Sequence, residues 1–340
     1  MSDWGVIGHG WAVRRLQSAI ARAQLAQSHL FVGPPNIGKA TLALATARAL
    51  LGRDARARAL VDQRRHPDLL WVSPPAEGEA IKVEQVRELL HGLTLAPVEG
   101  AYRVAVVDDA HRMTESSKNA LLKTLEEPNP AVVIILIAPN SESMLPTIVS
   151  RCQVLNLRPL AIQDVEQALL ARGSAPEQAA LIARLSRGRI GWALRAIEDE
   201  SVLAARATHL DDLRALLAAN RTRRFAYAEQ LAQADYAQIV EVLEDWLLLW
   251  RDVLRATSQS ECLVNLDQRD WIAALAEALA PAQIAQVVRD ISDTLRHLER
   301  NANARLALDV LMLKLPHLAA SLNSAQPGLD SAPLPGEVVP

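Results

Sequence analysis

His29-Leu30-Phe31-Val32-Gly33-Pro34-Pro35-Asn36-Ile37-Gly38-Lys39-Ala40-Thr41-Leu42 is the stretch that decides the fold. Four residues of strand character run into a loop bounded by two glycines, and a lysine then opens an Ala- and Leu-rich helical stretch. Gly33 to Lys39 has the spacing of a phosphate loop. In such a loop backbone N–H groups surround phosphate oxygens, the helix N-terminus adds favourable partial charge, and the lysine reaches the outer phosphates. Strand, glycine loop and helix in that order form the first half of a βα unit, so an α/β domain with a parallel sheet is expected.

Outward from this stretch, short apolar runs alternate with amphipathic ones as far as Leu157. Strands are expected at His29 to Val32, Asp68 to Val72, Arg103 to Val107 and Val132 to Ala138, with a weaker fifth at Cys152 to Leu157. Their Val, Ile and Leu content suits strands buried on both faces. Helical spacing covers Lys39 to Leu51 and Thr114 to Glu126, the second opened by Thr114 as N-cap and stopped by Pro128. After Arg158-Pro159 only helical spacing remains, to about Leu318, and Gly188 and Gly191 punctuate its first part. The expected division is an α/β domain at 1–159, a small helical domain at 160–204, a larger helical domain at 205–322 and a disordered tail at 323–340. Trp246 and Trp250, four apart, read as a core stripe.

Hydrolysis at a phosphate loop also needs a metal and an activated water. The position after the lysine normally supplies a hydroxyl to Mg²⁺; here it is Ala40, and Thr41 lies about 100° further round the helix. Downstream, the strand ending at Val107 delivers Asp108-Asp109, with Asp108 placed to hold a metal directly or through water. Where a glutamate usually orients the water, Asp109 is one methylene shorter. A misplacement of about an ångström can cost about a hundredfold in rate. The expected nucleotide residues are therefore Gly33, Pro35, Gly38, Lys39, Asp108 and Asp109, forming a weak or vestigial site for ATP and Mg²⁺.

With these residues in view, the sequence resembles an AAA+ module of the clamp-loader subunits of bacterial DNA polymerase III. Besides the phosphate loop, the resemblance rests on Asn119-Ala120-Leu121-Leu122-Lys123-Thr124-Leu125-Glu126-Glu127-Pro128, on Ser150-Arg151-Cys152 and on Asn301-Ala302-Asn303-Ala304-Arg305-Leu306. It implies a P-loop α/β domain followed by a helical lid and an all-helical collar. It implies that Arg151 is presented to the ATP of a neighbouring subunit, where a guanidinium neutralises charge developing on the γ-phosphate. It also implies that Asn140 is a polar sensor of the γ-phosphate, although Asn is equally a turn former. Val6-Ile7-Gly8-His9 resembles the segment that packs over an adenine, or is an ordinary apolar anchor. A second sensor arginine is expected in the lid, but Gly191 stands at the aligned position; Arg189 and Arg195 are the nearby alternatives.

The family often carries a four-cysteine zinc module, yet Arg53 to Arg65 holds no cysteine, so no zinc and no other metal centre is expected. The arginines at 53, 56, 58, 64 and 65 read as a solvated charged loop, with DNA phosphates as the alternative. His66-Pro67-Asp68 reads as structural. The implied partners are the gamma/tau and delta subunits, joined through the collar, and through the complex the sliding clamp and primer–template DNA. The chain itself is then a subunit of a nucleotidyltransferase holoenzyme, itself neither polymerase nor ATPase. Two other readings stay open: a hydrolysis-competent motor subunit of the same assembly, and another AAA+ DNA-remodelling motor.

Bulk properties agree. At 340 residues the chain needs more than one core, and a formal charge of −3 provides no global attraction to nucleic acid or anionic membrane. Two distant cysteines, Cys152 and Cys262, suit a reducing compartment, and no signal peptide is legible at Met1 to His9; a cytoplasmic protein is expected. The longest apolar run, Ala131 to Ala138, is far short of the roughly 20 residues of a membrane helix.

Overall fold

The structure is a computed structural model and describes residues 4–76, 79–258, 263–300 and 302–318. Cys262, Asn301 and the expected tail at 323–340 lie outside the described residues. The chain divides into two units, Met1–Asp199 and Glu200–Pro340. The expected α/β and small helical domains share the first unit, and the helix beginning at Ser201 belongs to the second.

In the first unit, α1 (Gly10–Ala21) leads into β1 (Ser28–Val32), α2 (Lys39–Leu51) and α3 (Ala55–Asp62). β2 (Leu69–Val72), α4 (Val83–Thr94), β3 (Arg103–Val107), α5 (Glu115–Glu126), β4 (Val132–Ala138), α6 (Pro146–Val149) and β5 (Gln153–Asn156) follow. The small helices α7 (Ile162–Leu170), α8 (Pro176–Ser186) and α9 (Ile190–Glu198) close the unit. The five strands form one parallel sheet in the order β2-β3-β4-β1-β5. Alternate residues of the central strands serve opposite faces, as the two-residue strand period requires. Phe31, Val133, Ile135 and Ile137 join the core formed with α1 and α2. Leu30, Val32, Ile134 and Leu136 join the core formed with α4, α5 and α6.

Local chemistry explains the boundaries. Thr114 caps α5, its Oγ1 accepting the Ser117 N–H at 3.2 Å. Gly38 (φ 97°) is the N-cap of α2. The Arg53 to Arg65 stretch, expected as a loop, instead contains α3. Asp54 accepts the Ala57 N–H at 2.8 Å, and Ala57 and Val61, four apart, are buried. Arg56 and Arg58 lie exposed on this helix and Arg53, Arg64 and Arg65 flank it, so that their charge masks a short amphipathic pattern. Asp68 lies just before β2 and is fully buried, accepting the Val98 and Glu99 N–H groups at 2.7 and 2.8 Å. The His66 Nδ1 accepts the Asp68 N–H at 3.1 Å, so His66 is a structural residue. Among the described residues no cluster of His, Cys, Asp and Glu is arranged to hold a metal ion.

The second unit is helical: α10 (Ser201–Ala218), α11 (Arg221–Leu231), α12 (Tyr236–Ala256), α13 (Arg269–Ala278), α14 (Pro281–Glu299) and α15 (Ala304–Lys314). Trp246 and Trp250 are fully buried in its core, and the Trp246 Nε1 donates to the His209 carbonyl at 2.7 Å. Arg224 is buried with no carboxylate beside it among the described residues. Its guanidinium donates instead to the carbonyls of Leu216, Leu217, Met312, Leu315 and Pro316 at 2.7–3.3 Å. Those carbonyls lie at or just past the C-terminal turns of α10 and α15, where intrahelical donors run out and a cation is favoured. Among the described residues no single helix is long and apolar enough to cross a membrane.

His29 is wholly buried in β1, and desolvation pushes its imidazole down to about 4. The unfolded chain takes up this proton near pH 6.5, the folded chain only near 4, so the unfolded state binds more protons between those values. Stability is therefore full above pH 6.5 and falls as the pH drops through this window, by about 3 kcal/mol in total. Chemical denaturation from pH 7 to pH 4 is expected to show this loss, and His29→Leu to flatten it. Equal slopes for the two proteins would remove His29 from the acid sensitivity.

Candidate nucleotide site and the outward arginine

The parallel sheet delivers the phosphate loop, the paired aspartates and Asn140 to one edge, at the carboxyl ends of β1, β3 and β4, where open α/β sheets bind ligands. Gly33 (φ 148°) has no room for a side chain: a Cβ there would lie 2.4 Å from the Leu157 carbonyl oxygen and 2.5 Å from Ile37 Cδ1. Pro35 is exposed at the tip of the loop. Ile37 is buried, and its carbonyl accepts the His9 Nε2–H at 2.8 Å, which ties the N-terminal segment to the loop.

The Lys39 Nζ donates to the loop's own carbonyls, Gly33 at 2.5 Å and Pro34 at 2.7 Å. Burial draws its ammonium down to about 8, with the charges of Asp109 and Asp108 opposing the shift. Asp108 is pushed above the usual carboxylate range, first by burial and then by Asp109, while Arg64 and Lys39 pull it back. The Arg64 guanidinium lies 3.9 Å from the centre of the Trp71 ring, so this arginine is held by a cation–π contact with its charge felt at Asp108. Asp109 adopts a left-handed backbone (φ 51°), and its Oδ1 lies 4.0 Å from the His111 Nδ1. Ala40 packs against the apolar core of the α1–α2 face.

The lid helices touch the loop directly. The Gly191 N–H donates to the Asn36 carbonyl at 2.7 Å, and a Cβ on Gly191 would lie 3.0 Å from that oxygen. Arg189, the nearest alternative to a second sensor, donates its Nε–H to the Ser186 carbonyl at 3.2 Å. The Oδ1 of Asn140 accepts the Ser143 N–H at 2.8 Å, and its carbonyl accepts the Ser143 hydroxyl at the same distance, a turn in which the side chain is already engaged.

Arg151 stands apart from this cluster. It follows α6 and precedes the edge strand β5, whose Gln153 pairs with His29 of β1. Extending that register puts Arg151 level with Gln27, six residues before Gly33. At ~3.3 Å per residue this is about 20 Å from the phosphate loop, toward the opposite edge of the sheet. Its side chain is one-third exposed. The Nη1 donates to the Thr147 carbonyl at 2.9 Å, and the Nη2 meets the Glu126 Oε1 at 2.8 Å. Cys152 beside it is a free thiol that burial pushes up to about 12.

Comparison with known proteins now has a fold and a site to refer to. The DNA polymerase III delta-subunit family matches residues 8–161, and its C-terminal family matches residues 200–317. The DNA polymerase III subunit delta' of Pseudomonas aeruginosa is 30% identical over 277 residues, covering 77% of this chain and 83% of that protein. The Bacillus subtilis subunit delta' is 25% identical over 315 residues, covering 89% of this chain and 94% of the relative. A DNA polymerase III gamma-subunit-related protein of Thermotoga maritima overlays with a TM-score of 0.44 at 18% identity, covering 88% of this chain and 97% of that one. The chain belongs to the DNA polymerase III delta' family of clamp-loader subunits.

In this delta' family member, Gly33, Gly38, Lys39, Asp108 and Asp109 come together as their spacing implies, Asn140 sits beside them in its turn, and Arg151 does not join them. Three contributors were missed from sequence. In sequence His9 stands within a segment that resembles an adenine-packing one or is an ordinary apolar anchor, Arg64 within a charged stretch that reads as solvated, and Glu126 within a clamp-loader motif. His9 and Glu126 act through contacts with segments far along the chain, and Arg64 reaches Trp71 across the turn into β2, none of which a local period encodes.

Gly33→Ala places backbone oxygen against a new methyl group, and a loss of about 3 kcal/mol in urea denaturation is expected. Gly173 (φ 88°) has nothing within 4 Å of a Cβ, so Gly173→Ala is expected to cost only about 1 kcal/mol. Equal costs would show that steric closure of the loop is not what demands Gly33.

Proposed function

We propose that this clamp-loader subunit is the non-hydrolysing member of its ring, a stator that lends Arg151 to the ATP of a neighbouring subunit. The carrying observation is the separation along the sheet. A side chain one-third exposed, about 20 Å by strand register from the chain's own phosphate loop, supports a role on another molecule's triphosphate. There it neutralises charge developing on the transferred phosphoryl group, an interaction stronger in the transition state than in the ground state.

The chain's own loop supports the same division of labour. The residues present fit Mg²⁺-ATP poorly: Ala40 supplies no hydroxyl, and Lys39 is bonded to Gly33 and Pro34. Asp108 has its charge opposed by burial and matched by Arg64 and Lys39, and the lid meets the loop through the Gly191 backbone where an arginine would be needed. Any nucleotide held here is weakly bound and does not turn over. The alternative of a hydrolysis-competent motor would require Lys39 to leave its carbonyls and Asp108 to act as a full metal ligand.

The partners in this reading are the gamma/tau and delta subunits, and through the ring the sliding clamp and primer–template DNA, in the cytoplasm and with no membrane. The second unit offers a surface suited to the ring. On α15, Leu306, Val310 and Leu313 are 64%, 43% and 55% exposed and recur at i, i+4 and i+7, an apolar stripe with nothing over it among the described residues.

In the ring reconstituted with gamma/tau and delta subunits, Arg151→Ala is expected to lower ATP turnover at the partner site by about 10³-fold. The isolated variant should melt like the parent. Unchanged turnover would remove Arg151 from the mechanism. Leu306→Gln/Leu313→Gln is expected to leave the isolated chain folded while weakening its incorporation into the ring by about a hundredfold, the effect of losing two buried leucines. Undiminished assembly, followed by sedimentation, would show that the collar contact lies elsewhere.

A further inference from the structure

Arg151 does not hang free in the chain as it stands. Glu126 ends α5, and a carboxylate at a helix C-terminus faces unfavourable partial charge unless a cation stands beside it. Arg151 follows α6, a helix whose last carbonyls lack intrahelical donors, and its Nη1 takes up one of them at Thr147, 2.9 Å away. One guanidinium thus joins two helix ends: Nη1 on the Thr147 carbonyl and Nη2 on the Glu126 carboxylate at 2.8 Å. Both partners use the side of the fork formed by the two terminal nitrogens. The Arg151 Nε–H has no partner among the described residues.

We infer that Glu126 is the positioning residue for Arg151. It holds the guanidinium in one rotamer at the subunit surface, so that the arginine meets a neighbour's nucleotide already oriented. The inference rests on the reading of Arg151 as a residue acting in trans. An arginine side chain carries large rotamer freedom, and whatever is fixed before the encounter need not be fixed in the transition state. The pair is suited to this because it is exposed on both sides, 34% at Arg151 and 50% at Glu126. Exposed ion pairs are weak, and a triphosphate offers the same donors a stronger, charge-assisted acceptor, so the contact orients Arg151 without sequestering it. Thr147 contributes only a main-chain carbonyl, and the Ser150 hydroxyl accepts from Nη1 only at a long 3.4 Å, which leaves Glu126 as the charged side chain through which the orientation can be removed.

The test is a double-mutant cycle in the reconstituted ring, read as kcat and KM for ATP at the partner site. Glu126→Ala is expected to lower kcat about tenfold with KM unchanged, a smaller loss than a full ångström of misplacement brings. Glu126→Gln, which keeps one acceptor oxygen, is expected to fall between Glu126→Ala and the parent. In an Arg151→Ala background neither Glu126 variant should lower turnover further, because the effect runs through the missing guanidinium. Thermal melting of each isolated variant establishes that the fold is intact. Additive losses in the double variant, or an unaltered or raised kcat for Glu126→Ala, would overturn the inference while leaving Arg151 in place. A normal kcat for Arg151→Ala would instead bring down the reading on which it stands.

Discussion

The pairing of β1 with β4 on one side and β5 on the other is the constraint from which the functional geometry follows. Parallel register fixes more than the core. It fixes which loops share an edge of the sheet and how far apart the two edges lie. Because Ser28 pairs with Ile134 and His29 with Gln153, the C-terminal end of β1 carries the phosphate loop beside Asn140, while the chain enters β5 from the opposite edge with Arg151 just outside. A slip of one residue would also turn Phe31 from one core into the other.

Electrostatics at the loop is set by how its own charges are partnered. A working site balances phosphate and metal charge against lysine and carboxylates. Here the balance is internal: Lys39 lies on loop carbonyls and near two aspartates, and Arg64, braced on Trp71, contributes positive charge at Asp108. Desolvation acts on both signs, drawing the lysine down and Asp108 up, so both charged forms are disfavoured by burial. Ala40, where a phosphate loop normally offers a hydroxyl, packs against the core.

The strands and the two principal helices were legible because their signals are local. The phosphate-loop spacing, the Thr114 cap and the continuous apolar run of β4 lie within a few positions of what they specify, and Lys39–Leu51 begins and ends where its spacing says. The α3 helix was obscured because its buried positions are only Ala57 and Val61, set among arginines that suggested a solvated loop. Asn140 was ambiguous between sensor and turn former, and the structure shows its turn bonds to Ser143. The contacts of Gly191 with Asn36, His9 with Ile37 and Glu126 with Arg151 were not legible at all, since each joins segments far apart in the chain.

Gly191 shows why these missed contacts matter together. An arginine there would have to project past a loop carbonyl that a Cβ approaches to 3.0 Å, and the backbone N–H that fixes this approach is the one bonded to Asn36. The lid is thus held to the loop by main-chain contact, where a lid that senses nucleotide uses a side chain able to lengthen or release. With His9 bonded to Ile37 from the N-terminal side, the loop is tied to two segments of its own unit. A loop held in this way is braced by main-chain contacts on two sides, the kind of support from which a sheet edge gains rigidity.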